Sequence, residues 1–206
     1  VMSRRAIIRL IMAVRTVIQA GDPKLKARNR IVSDYKTPRI QKLIKDLIST
    51  NKKAGLIGIA STQIGENYMV FVTHCINTKA RKLGKTDKLR IYINPIITYY
   101  SKKGNIIYEG CGSVANGAIF GPVIRPEEVE VEAIDEKGQK FSLRADGILA
   151  RVIQHEYDHL NGIEFIQKVS DYSKVIVQDH YRKNIRNSNL QKKNSLITKI
   201  DYKLLD

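Results

Sequence analysis

The sequence predicts a single α+β domain with basic ends. A chain of 206 residues that is 43% hydrophobic is long enough to bury one sizeable core. Two stretches, 37–55 and 146–161, carry apolar residues at helical spacing. Between them lie short stretches rich in β-branched and aromatic residues, which are typical of strands. Helices and strands in one core-forming chain favour the mixed class.

The first helix is predicted over residues 37–55, "TPRIQKLIKDLISTNKKAG". Thr37 can cap its amino end, and Pro38 suits the first helical position. Gly55 can end the helix. One apolar stripe runs along it and consists of Ile40, Leu43, Ile44, Leu47 and Ile48.

Strands are predicted at 68–74 and 89–95, with the basic loop "NTKARKLGKTDK" between them. Residues 129–135 alternate apolar and charged side chains, as a half-exposed strand does. The turn "EKG" then leads into residues 139–145. These two stretches predict a β-hairpin.

A second helix is predicted over 146–161 and ends at Gly162. Residues 168–190 are expected to form a third helix. From Tyr181 onward the chain has seven basic and two acidic residues and little periodicity. This last part is predicted to be a surface tail.

The charge balance is strongly basic, with 36 Lys and Arg against 20 Asp and Glu, a net charge of +16. Such an excess favours polyanionic partners, because cations neutralise phosphates and release counterions. A solvated, lysine-rich surface explains it equally well, so both interpretations stay open.

The expected compartment is a reducing cytoplasm. The two cysteines, Cys75 and Cys111, are too few for a disulfide scaffold. No apolar run approaches the roughly 20 residues that span a bilayer, so we expect a soluble protein without a membrane partner. Residues 1–15 are apolar and arginine-rich and superficially resemble an organellar transit peptide. We favour an extension upstream of a start at Met12.

Residues 152–162, "VIQHEYDHLNG", contain an H-E-x-x-H pattern. His155 and His159 are four residues apart, so both rings can point from one helix face at one ion. Glu156 lies about 100 degrees around the helix and can reach a water molecule beside that ion. The competing interpretation is two polar residues on an ordinary helix, and a third ligand would decide between them.

Cys111 is the best candidate for the third ligand. His180 follows in a highly charged stretch, and Glu164 lies just past the break at Gly162. Cys111 lies among small residues in "YEGCGSV", and a thiolate binds borderline or soft divalent ions strongly. A lone cysteine is more often buried packing, but the flanking glycines favour the ligand.

Three stretches then resemble one family, the peptide deformylases. "GLIGIASTQIG" (55–65) is similar to G-x-G-x-A-A-x-Q, "EGCGS" (109–113) to E-G-C-L-S, and "QHEYDHLNG" (154–162) contains H-E-x-D-H. The motifs occur in the family's order, and the resemblance runs from about Thr16 to Gln167.

The resemblance implies small antiparallel or mixed sheets packed around the H-E-x-x-H helix, with an N-terminal helix and a C-terminal helix or tail. The implied divisions are a basic N-terminal extension (1–15), a catalytic domain (16–168) and a basic C-terminal helix or tail (169–206).

The resemblance implies a hydrolase that removes the N-formyl group from the N-terminal formyl-methionine of new polypeptides and releases formate. It implies one divalent metal ion held by Cys111, His155 and His159, with Fe²⁺ native and Zn²⁺, Ni²⁺ or Co²⁺ able to replace it. Glu156 resembles the general acid and base. The Gln63 amide and the backbone N–H of Gly112 resemble the groups that support the reacting carbonyl.

Further site residues follow from the same resemblance. Glu109 is expected to pair with Arg125. Arg151 is expected either at the pocket rim, meeting the substrate, or in solvent. The residues expected to bind the substrate and its methionine side chain are Ile57, Gly58, Gly110, Ile148 and Val152.

The chain departs from the family pattern at several positions. Leu56 stands where the first motif has its leading glycine, Ser61 replaces an alanine, and Gly112 replaces the leucine of the second motif. A shifted loop at Leu56 could narrow the substrate groove. After Ser113 the sequence differs from the commonest family pattern.

Two other functions remain open, namely another H-E-x-x-H metallopeptidase and a deformylase-like protein with a relic site and a binding role. The first requires a third ligand downstream of the motif, and the second predicts no formate release. The partners that the resemblance implies are N-formylmethionyl nascent peptides. Docking on the ribosome through the basic surface or C-terminal region is a further hypothesis.

Overall fold

Two antiparallel β-sheets form the framework of the protein, for which a computed structural model describes residues 13–206. The strands are Gly58–Ala60 (β1), Val70–Thr73 (β2), Arg90–Tyr100 (β3), Gly104–Gly110 (β4), Ile119–Pro126 (β5), Glu128–Ile134 (β6), Lys140–Asp146 (β7), Ile176–Val177 (β8) and Ile200–Leu204 (β9). One sheet has the order β1-β2-β3-β6-β7-β9, and the other has the order β4-β5-β8. The predicted α+β class is confirmed.

Helices connect and cover these sheets. The α-helices are Pro38–Ala54 (α1), Gly147–Leu160 (α2), Gln178–His180 (α3) and Asn189–Ser195 (α4). A π-helical turn, Tyr181–Ile185, continues α3. The 3-10 turns are Pro23–Leu25, Ser61–Ile64, Ala115–Gly117, Phe165–Lys168 and Tyr172–Lys174.

The prediction of helix α1 is confirmed together with both of its caps. The Thr37 side chain accepts a hydrogen bond from the Ile40 N–H, and Pro38 occupies the first turn. Gly55 ends the helix with φ of 64°, a left-handed conformation that glycine adopts without strain. The stripe packs on the first two strands, with its first four residues buried and Ile48 partly buried.

The predicted hairpin is confirmed as β6 and β7, which pair antiparallel from Glu128↔Asp146 to Ile134↔Lys140. Strand β3 extends beyond the predicted 89–95 and reaches Tyr100, because its second half pairs with β6. That continuation depends on a partner about 30 residues away, which local composition does not reveal.

Helix α2 is buried in the main core. Leu149, Val152 and Ile153 belong to one buried cluster with Phe71 from β2 and Leu143 from β7. An apolar stripe at helical spacing buries itself in this way because each methylene removed from water stabilises the fold by about 0.8 kcal/mol. This packing fixes the helix that contains the H-E-x-x-H motif.

The C-terminal predictions are wrong. Residues 168–190 do not form one helix, because the chain changes direction through a 3-10 turn, β8, α3 and a π-helical turn. The last residues are not a tail, since β9 pairs with β7 from Phe141↔Leu204 to Ala145↔Ile200. Ile197 is buried, and the Tyr202 ring lies 5.4 Å from that of Phe141. These partners are far away in sequence, so periodicity within the segment does not predict them.

Within residues 13–206, no helix is both long enough and apolar enough to cross a bilayer. The predicted N-terminal extension, 1–15, begins in residues 1–12, which lie outside the described part of the chain. The divisions at residues 15 and 168 stay a prediction.

A Gly147→Ala variant tests whether the C-terminal segment is packed against the start of α2. Gly147 has φ of 58°, and an added Cβ would lie 2.2 Å from the Leu196 carbonyl oxygen. The matched control is Gly55→Ala, with φ of 64° and open space around the added carbon. We expect a loss of about 1–2 kcal/mol in unfolding free energy for the control. Gly147→Ala should lose about 1–3 kcal/mol more in urea denaturation, because the added atom overpacks the backbone. Equal losses would contradict this packing.

Candidate metal centre

Helix α2 presents two histidines on one face. The rings of His155 and His159 lie with centroids 5.0 Å apart and planes 76° apart. His159 is buried, and the side chain of His155 is 11% exposed. This is the arrangement that the four-residue spacing predicts for two ligands of one ion.

Cys111 follows directly after strand β4 and meets both histidines. Its sulfur lies 3.2 Å from Nε2 of His159. One potential ligand atom from each of Cys111, His155 and His159 lies within 4.8 Å of the others. Ligand atoms bound to one Zn²⁺-sized ion at about 2.0–2.3 Å are separated by similar distances. The structure therefore brings together the three side chains that the sequence singles out, in a set that fits one divalent ion.

Glu109 orients the first of these histidines. Its Oε2 lies 2.9 Å from Nδ1 of His155, which leaves Nε2 of that ring for the sulfur and an ion. Arg125 donates two hydrogen bonds to the same carboxylate, at 2.8 and 3.1 Å. The expected Glu109–Arg125 pair is confirmed, and such hydrogen bonds behind a ligating histidine fix its tautomer and orientation.

The electrostatics of the site favour a cation. Burial raises the pKa of Cys111, but the charges and hydrogen bonds of His159 and His155 outweigh it and bring that pKa well below its usual value. Burial lowers the pKa of His155, while hydrogen bonds with Cys111 and Glu109 raise it well above the ordinary value. Burial likewise raises the pKa of Glu109, and Arg125 and His155 hold it well below the ordinary value. A divalent ion would replace the protons that this anionic pocket attracts.

Glu156 lies beside the cluster with one free oxygen. Its Oε2 is buried and has no hydrogen-bond partner among the described residues, and Nδ1 of His159 is equally unpartnered. Burial raises the pKa of Glu156 to about 7, against the lowering effect of the histidine charges. A Cβ at Gly58 would lie 2.5 Å from Cγ1 of Val152 and 2.7 Å from Oε1 of Glu156, so the glycine lets strand β1 approach helix α2 closely.

Gln63 and Gly112 flank the sulfur. Oε1 of Gln63 accepts a hydrogen bond from the Ala60 N–H at 2.8 Å, which fixes the orientation of the amide. Its Nε2 lies 3.4 Å from the Cys111 sulfur and 3.3 Å from Oγ of Ser113. Within residues 13–206, the Gly112 N–H donates no hydrogen bond, whereas its carbonyl accepts one from Gln19. The Gln63 amide therefore lies against the Cys111 sulfur, and the Gly112 N–H adjoins Cys111 without a hydrogen-bond partner among residues 13–206.

A cavity of about 1000 Å³ opens beside the cluster. Cys111, His155 and Glu156 lie at its inner end. All five residues predicted to bind the substrate line this cavity, namely Ile57, Gly58, Gly110, Ile148 and Val152. Its apolar wall next to a polar centre is typical of a small-molecule or peptide site.

Of the two positions predicted for Arg151, the solvent position is wrong. The residue is 3% exposed and lines the cavity, but protein groups already accept its hydrogen bonds, so it is not a free donor to a substrate. Its guanidinium donates to Glu109 at 2.9 Å and to the Val123 and Asn105 carbonyls. It therefore belongs to the buried support of the metal centre.

Sequence reasoning missed several residues that support the site. Asp158 binds Arg125, and its position inside H-E-x-D-H is a signal that the motif contains. Asn105 holds Arg151, and Gln19 bridges the Gly112 carbonyl and the Asn116 N–H. No local pattern marks these last two, because their partners lie 46 and more residues away.

Comparison with known proteins agrees with this geometry. Residues 14–175 match the family described as polypeptide deformylase. A peptide deformylase of Neisseria meningitidis is 36% identical over 173 residues, covering 84% of this chain and 96% of the relative. One of Treponema pallidum is 36% identical over 151 residues, covering 73% of this chain and 85% of the relative.

Solved structures give the same result. A class I type b peptide deformylase from Acinetobacter baumannii with bound Met-Ala-Ser has a TM-score of 0.72 and 27% identity, covering 77% of this chain and 100% of that chain. An actinonin complex of the Synechococcus elongatus enzyme has a TM-score of 0.67 and 29% identity, covering 84% and 87% of the two chains. With the sequence match, this shows that the chain belongs to the polypeptide deformylase family of metal-dependent hydrolases.

Proposed function

We propose that this enzyme removes the formyl group from the N-terminal formyl-methionine of new polypeptides and releases formate. The observation that carries the proposal is the convergence of Cys111, His155 and His159, with the free oxygen of Glu156 beside them. The Met-Ala-Ser bound to the Acinetobacter baumannii relative is the peptide that remains when formyl-Met-Ala-Ser loses its formyl group. That bound peptide supports the same substrate class here.

Cys111, His155 and His159 are proposed to hold one divalent ion, with Fe²⁺ as the native metal and Zn²⁺, Ni²⁺ or Co²⁺ as replacements. The donor set of one thiolate and two imidazoles fits any of these ions. The ion would supply Lewis-acid chemistry, which polarises an oxygen and makes water a stronger nucleophile.

Glu156 is proposed to move the proton. A carboxylate in this position can take a proton from the attacking water and deliver it to the departing amine nitrogen. Its unpartnered, buried Oε2 supports this role because no other group competes for that oxygen. Proton transfer by a positioned group contributes on the order of 10²–10⁴-fold to a rate.

The Gln63 amide and the Gly112 N–H are proposed to stabilise the negative charge that develops on the formyl oxygen. The hydrogen bond from Ala60 holds the amide so that its NH₂ end faces the cluster. One preorganised donor of this kind contributes roughly 3–4 kcal/mol to transition-state stabilisation.

The inner cavity is proposed to bind the methionine side chain. Ile57, Ile148 and Val152 supply an apolar wall, and Gly58 and Gly110 allow the peptide backbone to approach the strand edges. A linear thioether side chain adapts well to such a wall.

The departures at Leu56 and Gly112 are proposed to compensate for each other. A Cβ at Gly112 would lie 3.7 Å from Cδ1 of Leu56 and 3.6 Å from Cγ1 of Val17, which is ordinary contact. The Leu56 side chain thus lies beside the space that a leucine at residue 112 would use. Both departures preserve the backbone N–H of residue 112. The side chain that packs over this N–H then belongs to Leu56 rather than to residue 112.

The partners are proposed to be formylated nascent peptides, in the cytoplasm. Basic residues of the folded C-terminal region, 169–206, are proposed to dock near ribosomal RNA, since phosphates attract such a surface. This docking is independent of the chemistry at the metal centre.

Replacing Cys111 with Ala should remove most of the bound metal, because two imidazoles alone hold a divalent ion weakly. The measurement is metal content by mass spectrometry after anaerobic loading with Fe²⁺ or Ni²⁺. His180→Ala is the control, since His180 is exposed and would be the downstream ligand in a metallopeptidase. Metal retained by Cys111→Ala but lost from His180→Ala would favour that second function.

Replacing Glu156 with Gln should leave metal content intact and lower formate release from formyl-Met-Ala-Ser by about 10²–10⁴-fold. The amide keeps the size of the side chain but cannot accept and return a proton. A metal-loaded wild-type protein that releases no formate would contradict the proposed function. Such a result would favour the relic-site interpretation.

A double-mutant cycle of Leu56→Gly and Gly112→Leu tests the proposed compensation. Each single change should lower the unfolding free energy, by leaving a void or by overpacking the contact with Val17. The double variant should recover about 0.5–3 kcal/mol relative to the sum of the single effects. Leu56→Gly combined with Ile124→Ala, an exposed position, serves as the additive control. Additive effects in the test pair would rule the compensation out.

A further inference from the structure

The outer part of the cavity at the metal centre is positively charged, unlike its inner end. Most of its exposed lining residues come from two segments, the turn at 79–82 and the C-terminal stretch 181–196, which we call the outer wall. Its acidic lining residues, Glu109 and Glu156, belong to the metal centre. The basic side chains that line the outer part are Lys79, Arg81, Lys82, Arg182, Arg186 and Lys192. The outer part therefore carries positive charge without a matching carboxylate in its lining.

These cations have no ion-pair partner in the part of the chain that the structure describes. No carboxylate of residues 13–206 lies within 4.0 Å of Arg81 or Arg186, and both side chains are partly buried. Nε of Arg186 is shielded from water and lacks a hydrogen-bond partner among the same residues. A shielded donor without an acceptor is destabilising, so a ligand oxygen there would restore a lost hydrogen bond.

A short series of contacts connects the outer wall to the metal centre. Gly110, next to Cys111, pairs with Phe120 across strands β4 and β5. The Phe120 ring stacks on Tyr181 with centroids 4.0 Å apart and planes within 5°. Burial raises the pKa of Tyr181, and the positive charges of Arg81 and Arg186 act in the opposite direction. Both arginines thus lie near Tyr181. The Tyr181 ring stacks on Phe120, which pairs with Gly110 beside Cys111.

The free edge of strand β4 is already occupied on the N-terminal side of Gly110. The Gln191 side chain accepts from the Tyr108 N–H at 3.0 Å and donates to the Tyr108 carbonyl at 3.2 Å. Asn194 donates to the Ile106 carbonyl at 2.8 Å. An extended peptide that adds to this edge pairs through backbone groups, and here it meets α4 after Gly110. Its next residues must therefore leave the strand and enter the outer cavity.

Building on the proposed deformylase function, we propose that Arg81 and Arg186 form a subsite for acidic side chains at the third and fourth residues of the formylated peptide. Charge-assisted hydrogen bonds from guanidinium to carboxylate are short and directional, which suits selection of Asp or Glu. A concave wall continuous with Gly110 favours a peptide over an RNA duplex, whose phosphates need an open surface. The enzyme would therefore act preferentially on proteins with acidic residues close to the initiating methionine.

The test uses two isosteric substrates, formyl-Met-Ala-Asp-Asp-Ala-amide and formyl-Met-Ala-Asn-Asn-Ala-amide. The terminal amide removes a competing carboxylate. For the metal-loaded full chain at low ionic strength, kcat/KM for the Asp peptide should exceed that for the Asn peptide by about tenfold, the scale of one hydrogen bond to a charged group. Salt at about 0.5 M should reduce the ratio, because it screens exposed charges.

The Arg81→Gln/Arg186→Gln double variant should bring the ratio toward one, mainly by lowering kcat/KM for the Asp peptide. Lys183→Gln is the matched control, because Lys183 is exposed on the same segment and lies outside the cavity lining. It should leave the ratio unchanged. A wild-type ratio near one would overturn the subsite. An unchanged ratio in the double variant, together with weaker binding to a ribosomal RNA fragment, would also overturn it. Failure to release formate from either peptide would instead overturn the deformylase function on which the subsite rests.

Discussion

The carboxylate of Glu109 is the interaction on which the metal centre depends. It lies on strand β4, two residues before Cys111, and it binds His155 on helix α2 together with Arg125 and Arg151. One buried group thus connects the strand that contains the sulfur to the helix that contains the imidazoles. Burying a carboxylate is costly unless its oxygens are paired and hydrogen-bonded, and Glu109 meets that condition through three partners. Removing any one partner would leave a charge in a low-dielectric interior, so the network holds the ligands in one geometry.

The same network keeps the core electrically balanced. Glu109 and Asp158 supply two negative charges, and Arg125 and Arg151 supply two positive ones. Because the supporting charges cancel, a divalent ion would experience mainly its own ligands and the nearby Glu156. Such a site can concentrate negative charge at Cys111 and Glu156 without destabilising the helix that positions them.

Local patterns predicted most of the fold's framework and the whole candidate ligand set, while contacts between distant segments were not predictable. Helix α1, its caps and the β6–β7 hairpin depend on neighbours within a few residues, so spacing and turn chemistry were sufficient. Cys111 could be ranked above His180 because glycines and the family motif surround it. The buried role of Arg151 was not predictable, since nothing nearby in sequence shows that Asn105 and Val123 accept its hydrogen bonds. Strand β9 was missed because a short stretch with one acidic and one basic residue becomes a strand only when β7 offers its free edge.

The cations at the two ends of the cavity differ in whether they have partners in the free protein. This difference explains where variation in peptide specificity can arise. At the inner end the supporting cations are buried, and each is paired before a substrate arrives, because an unpaired buried charge would oppose folding. At the outer end the arginines and lysines keep part of their surface hydrated and have no carboxylate partner among residues 13–206, and Nε of Arg186 is shielded from water without an acceptor. A substrate carboxylate can therefore gain binding free energy there that the protein has not already used for folding. In the proposed enzyme, the buried network would fix the chemistry, whereas preference among peptides would depend on side chains that folding leaves without partners.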